Sequence, residues 1–207
     1  MTFSLTLVIV AVTVLVSWRA FNDHNLLERL ILWPPAIERQ RQYDRLLTHG
    51  FIHADWMHLL FNMITLWSFG SAVERVFSEW ITPVGYVLFY LSAIVVSILP
   101  TYITHRNDAN YRSLGASGGV SAVLFAFILF DPWSTLIIFP IPVPIPAFLF
   151  AILYVGYSIW MDRRGGDRIN HSAHLAGAAY GVLFMAIMEP RVLGIFLQQL
   201  GNPSFGR

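Results

Sequence analysis

The chain has 207 residues, 56% hydrophobic and 12% charged, with a mean hydropathy of +0.60; a soluble domain has roughly 25% charged residues, so this composition is that of an integral membrane protein in contact with the lipid bilayer. A net charge of +1, with 13 scattered arginines and no lysine, lacks the basic stripe of a nucleic-acid binder. The absence of cysteine excludes disulfides, a thiolate nucleophile and cysteine-ligated metals.

Six stretches approach the ~20 apolar residues that cross a bilayer: 3–18, 57–73, 81–103, 115–130, 146–161 and 171–188. The first has no basic lead and no small-residue cleavage site before Trp18-Arg19, so it reads as a retained helix and not a removed signal peptide. Residues 19–56 mix leucines with arginines and acids, the pattern of short interfacial amphipathic helices, broken at Pro34-Pro35. The second span carries His58 and Asn62, four apart and therefore on one helix face. At its end stands Gly70-x-x-x-Glu74, with Glu74 expected to be a buried structural acceptor. The fourth opens on Gly115-Ala116-Ser117-Gly118-Gly119-Val120-Ser121. Before the fifth, residues 139–146 have proline at every second position, cannot be helical, and read as a connector. The sixth aligns His174, Gly177 and Gly181 on nearly one face, a histidine above a small-residue stripe that lets another helix approach closely. With neither repeat nor linker, residues 1–207 read as one domain, an all-α polytopic membrane bundle.

Polar side chains at membrane depth mark function or a buried structural bond, and here they are few. Ser117 heads its helix, where unpaired amides and the positive dipole end favour a developing negative charge. A serine needs a base within hydrogen-bond reach, and His174 is the best-placed one. A tetrahedral oxyanion needs preorganised donors, for which His58, Asn62 and the Ser117 amide are suitable. Each piece alone also fits helix packing; three spans supplying the parts of one acyl-transfer site is the stronger pattern. His49, His53, His58, His171 and His174 do not form the His-Glu-x-x-His motif of zinc proteases, and Arg164-Gly165-Gly166-Asp167 does not match the Gly-x-Gly-Asp of aspartyl intramembrane proteases. No metal and no organic cofactor is expected.

From about Thr48 to Met188 the chain resembles the rhomboid intramembrane serine proteases, with His58-x-x-x-Asn62, Gly115-x-Ser117-Gly118 and His174-x-x-Gly177-x-x-x-Gly181 in the family's order. The resemblance implies a six-helix bundle and a Ser117–His174 dyad without an acidic third member, served by His58 and Asn62 as oxyanion donors. It further implies transmembrane-protein substrates, entry beside the fifth span, and a preference for small residues at the cut. It places the protein in a bacterial-type inner or plasma membrane, N-terminus in the cytoplasm and site toward the other side. That orientation puts ten arginines outside against three inside, contrary to the positive-inside rule, although the first loop interleaves its arginines with acids. Two positions depart from the family: Asp44-Arg45 stands where many members have Trp-Arg, and Ser121 where some have an aromatic stacked on the base, so His174 needs another support. The rival reading is a catalytically silent rhomboid-like protein that binds membrane clients, whose usual signature is loss of the serine or histidine. A transporter would show paired interrupted helices in two repeats, which the sequence lacks.

Overall fold

In the computed structural model the first helix, α1 (Leu5–Asn22), starts where side chains satisfy its unpaired amides. Ser4 accepts from the Leu7 amide, and the Glu74 carboxylate accepts from the amides of Leu5 (2.6 Å) and Thr6 (2.9 Å) and from the Ser4 hydroxyl (3.0 Å). The structure describes residues 4–138, 141–166 and 169–203. Phe3 of the first expected span, Phe139-Pro140 of the proline-rich stretch, and Asp167, Arg168 and Arg207 lie outside them. The buried face of α1 is Thr6, Ile9, Thr13, Ser17 and Ala20, small or short side chains at helical spacing that allow a close approach. Glu74→Ala strips the start of α1 of a charged acceptor, so we expect a loss of about 1–3 kcal/mol, read as a lower thermal midpoint in micelles. Glu74→Gln, which keeps one acceptor oxygen, should lose less.

Residues 24–51 form α2 (His24–Leu30), α3 (Pro34–Gln40), α4 (Arg45–Thr48) and a 3-10 turn, His49–Phe51. The Pro34-Pro35 pair separates α2 from α3, as its chemistry demands, but it also opens α3, because a proline in the first turn has no amide to leave unpaired. Arg45 is buried and donates to the carbonyls of Glu28 and Ile31 (both 2.7 Å) and to Gln42 Oε1 (2.6 Å). Asp44 pairs with Arg29 at 2.7 Å on the surface. The Asp44-Arg45 dipeptide therefore organises the loop by tying down the carbonyl end of α2.

The bundle continues with α5 (Trp56–Trp80), α6 (Pro83–His105), α7 (Ser117–Phe130), α8 (Ala147–Arg164), α9 (His171–Met188) and α10 (Arg191–Leu200). Every residue of α7 from Gly118 to Leu129 is buried, so this helix, apolar all round, is the centre of the core. Among the described residues α1, α6 and α9 are long and apolar enough to cross a membrane; α7 is apolar but shorter. Of the six spans expected from sequence, those three meet the criterion by length and composition. His58, Asn62 and several serines dilute α5, and α8 ends in Asp162-Arg163-Arg164.

Helix ends depart from the apolar stretches. α1 runs past residue 18 to Asn22 and α5 past residue 73 to Trp80, because a polar side chain ends a hydrophobic run without ending a helix. The expected proline-rich connector leads into α8 without forming helix, and its described part is paired: β1 (Thr135–Ile138) runs antiparallel to β2 (Ile141–Pro146), with Leu136 opposite Ile145 and an irregularity between Ile137 and Ile138. Alternate prolines remove donors along one edge of a strand and leave the other edge able to pair. The short amphipathic α10 has no counterpart in the sequence reading. It is tied to the loop before β1 by Trp133 Nε1 donating to the Gln199 carbonyl at 2.9 Å.

Candidate active site

The contact between α7 and α9 is set by glycines. A Cβ on Gly177 would run into the Gly118 carbonyl oxygen, one on Gly181 into the Ala122 carbonyl oxygen, and one on Gly118 into Ser97 Oγ. At the first two points the backbones of α9 and α7 touch; at the third, α7 meets a side chain of α6. Ser117 is adjacent to Gly118, and His174 lies almost one turn before Gly177 on the same face. Both side chains line one cavity of about 890 Å³, and His58, Asn62, Ser121 and Tyr154 line it with them.

Ser117 is the first residue of α7. The chain reaches it through Gly115, whose φ of +119° is a conformation that a side chain rarely adopts. A Cβ there would also sit 2.7 Å from His58 Cε1, so the His58 ring lies directly on the Gly115 backbone. Asp55 caps α5 by accepting from the His58 amide at 2.8 Å. The Ala54 amide donates to His58 Nδ1 at 3.5 Å, which leaves the proton of a neutral ring on Nε2 as a donor. Asn62 is buried and donates one amide hydrogen to the His58 carbonyl at 2.9 Å; its NH₂ group carries a second. Glu74 does not join this site: sixteen residues along α5 from His58 place it about 24 Å away along the axis, at the start of α1.

Two contributors escaped the sequence reading. His53, given no role there, is buried and accepts from the Ala116 amide through Nε2 at 3.3 Å. That acceptor role puts its proton on Nδ1, facing Ser17 Oγ at 2.9 Å, and the Ser17 hydroxyl donates to the Phe51 carbonyl at 2.9 Å. His53 thus joins α1 to the turn entering α7, and its partners are 36 and 63 residues away in sequence. The second is Tyr154 on α8, whose ring stacks on His174. Among the described residues, no three histidine or carboxylate side chains converge as a metal site.

Burial, and next the nearby His58, push the His53 pKa down from 6.5 to about 3, and burial takes that of His49 to about 4. Between pH 6.5 and these values the unfolded chain binds protons that the folded chain excludes, so stability present above pH 6.5 is lost as the pH falls. The thermal midpoint should therefore drop steadily from pH 7 to pH 4. His53→Gln should lower it at pH 7 and flatten the slope; an equally steep slope in that variant would show that other groups cause the acid sensitivity.

Residues 40–191 match the family model described as the Rhomboid domain. The chain is 31% identical over 195 residues to RHOMBOID-like protein 12, mitochondrial, of Arabidopsis thaliana, covering 88% of this chain and 57% of that protein. It is 31% identical over 174 residues to the presenilin-associated rhomboid-like protein, mitochondrial, of Rattus norvegicus (81% and 44%), and 27% identical over 161 residues to rhomboid protease GluP of Bacillus subtilis (78% and 29%). The chain thus spans 57%, 44% and 29% of the length of these relatives, less than two thirds of each. With helices long and apolar enough to cross a bilayer, the chain is a multi-pass integral membrane protein. The match over residues 40–191, together with the identity to these relatives, shows that the chain belongs to the rhomboid family.

Proposed function

We propose that the chain is an intramembrane serine endopeptidase that cleaves peptide bonds in or near the transmembrane segments of other membrane proteins. The observation that carries this reading is the convergence of Ser117, His174, His58 and Asn62, from α7, α9 and α5, on one cavity. His174 takes the proton from Ser117 Oγ as that oxygen attacks the scissile carbonyl carbon. The carbonyl oxygen becomes an oxyanion facing the Ser117 amide, His58 Nε2–H and the Asn62 NH₂ group. His174 then gives its proton to the departing amine; water, deprotonated by the same imidazole, attacks the acyl carbon, and the proton passes from His174 to Ser117 Oγ as the acyl–oxygen bond breaks. No metal or organic cofactor takes part.

On this reading the six spans are α1, α5, α6, α7, α8 and α9, in one domain. The 14 residues of α7 extend only about 21 Å, short of the ~30 Å hydrocarbon core. Its first residue, Ser117, then lies below the membrane surface, and the polar cavity above it admits water. Entry of substrate beside α8 is favoured by how little of that helix is fully buried, only Ala147 and Ser158. With the N-terminus in the cytoplasm, the cavity opens to the opposite side of the membrane. Since the relatives include mitochondrial proteins as well as a bacterial one, they give no ground for a bacterial-type membrane in particular. The rival reading, a silent client-binding protein, is disfavoured by the presence of both reacting groups. A fluorophosphonate probe separates the two: the purified protein should be labelled and Ser117→Ala should not, whereas an unlabelled parent protein would leave the scaffold reading.

A further inference from the structure

A histidine that serves as base must keep one ring nitrogen aimed at the serine, and a flat surface beside the imidazole fixes the plane in which it turns. Within α9 the His171 ring meets that of His174 edge-on at 6.0 Å. The flat surface comes from another helix. Tyr154 of α8 lies nearly parallel to the imidazole, with centroids 6.1 Å apart and planes at 16°. The tyrosine is itself held: its hydroxyl is 2.7 Å from Ser121 Oγ, and its ring packs against Phe125 at 5.6 Å and Phe150 at 5.5 Å. Ser121 is four residues after Ser117, so the hydroxyl that anchors Tyr154 sits one turn along the helix of the nucleophile.

We propose that Tyr154 is the positioning residue of the base: its ring sets the plane of the His174 imidazole, and Ser121 sets the ring. The proposal rests on the serine-protease reading above. It makes α8, otherwise lightly packed, a supplier of catalytic geometry and not only a wall of the cavity. Nucleophile, support and base then belong to three helices linked through Ser121, Tyr154 and His174. Ser121 has a reason to be polar inside an otherwise apolar helix, since it holds a phenol that would be costly to bury unpaired.

The test is the rate of fluorophosphonate labelling of the full chain in micelles, resolved into the maximal rate and the half-saturating probe concentration. Tyr154→Leu keeps apolar bulk and loses the flat ring, so the maximal rate should fall about 10- to 100-fold, the scale of a misplaced catalytic group, with half-saturation unchanged. Tyr154→Phe keeps the ring and loses one hydrogen bond, for a fall of about fivefold at most. Ser121→Ala creates almost no cavity, folds even if Tyr154→Leu does not, and should fall by about two- to fivefold. A role in stability alone would lower the thermal midpoint and leave the maximal rate of the folded fraction intact. Parent-like maximal rates in Tyr154→Leu or Ser121→Ala, or equal losses in the Phe and Leu variants, would overturn the proposal. Absence of labelling in the parent protein would instead remove the protease reading, and the role of Tyr154 with it.

Discussion

Ser117→Ala and His174→Asn are each expected to abolish cleavage of a reconstituted transmembrane substrate, a loss of roughly 10⁶-fold if this dyad behaves as the serine–histidine pair of a soluble protease does. The serine variant isolates chemistry from folding. Ser117 stands among small residues at the start of α7, so alanine removes one oxygen and opens almost no cavity, while nothing else lining the cavity offers a hydroxyl at a helix N-terminus. His174→Asn keeps a polar side chain against Tyr154 and lacks a group able to take a proton near neutral pH. Because the two residues act as a unit, the double variant should be no worse than either single one. Strictly additive losses, or substantial proteolysis by purified Ser117→Ala, would mean that the serine serves packing.

The second large effect is expected at Gly177. A Cβ there would lie on the Gly118 carbonyl group, 2.9 Å from its carbon and 3.2 Å from its Cα, and every one of these atoms is backbone. No rotamer change can relieve the clash, so α7 and α9 must separate. Gly177→Val should cost about 3 kcal/mol or more, at or beyond the usual range for overpacking, and yield little folded protein. Gly177→Ala is the informative case, since it faces Gly118, the neighbour of Ser117, and lies almost one turn from His174. Displacing His174 from Ser117 by about 1 Å costs on the order of 100-fold in rate, so turnover should fall further than stability. Gly156 on α8 is the control: no atom lies within 4 Å of its would-be Cβ, and Gly156→Ala should be neutral or stabilise by up to about 1 kcal/mol. Parent-like turnover in Gly177→Ala would show that the close approach of these backbones is not needed for activity.

Sequence and structure contribute different parts of this site. Ser117, His174, His58 and Asn62 stand out in the sequence because each lies within a few residues of a companion: glycines around the serine, Gly177 and Gly181 below His174, Asn62 one turn from His58. The apolar stretches are equally legible, since period and length are local properties. Where helices end is less so: the runs to Asn22 and Trp80 depend on backbone hydrogen bonds that continue through polar residues. The proline-rich stretch illustrates the same limit, because proline rules out a helix but does not say whether a second strand lies alongside.

What the sequence determined by itself is the membrane-embedded character, the motifs and the glycine stripe, for these depend on composition and on spacing along one helix. Only the tertiary structure decided what supports them. Glu74 finds the first amides of α1, 68 and 69 residues away; His53 joins Ser17 to Ala116; Arg45 finds the carbonyl end of α2; and Tyr154 reaches across from α8 to His174. A lone histidine, tyrosine or glutamate in a sequence carries no mark of its distant partner, because the free energy that selects the pair comes from packing the whole bundle and not from the residues on either side.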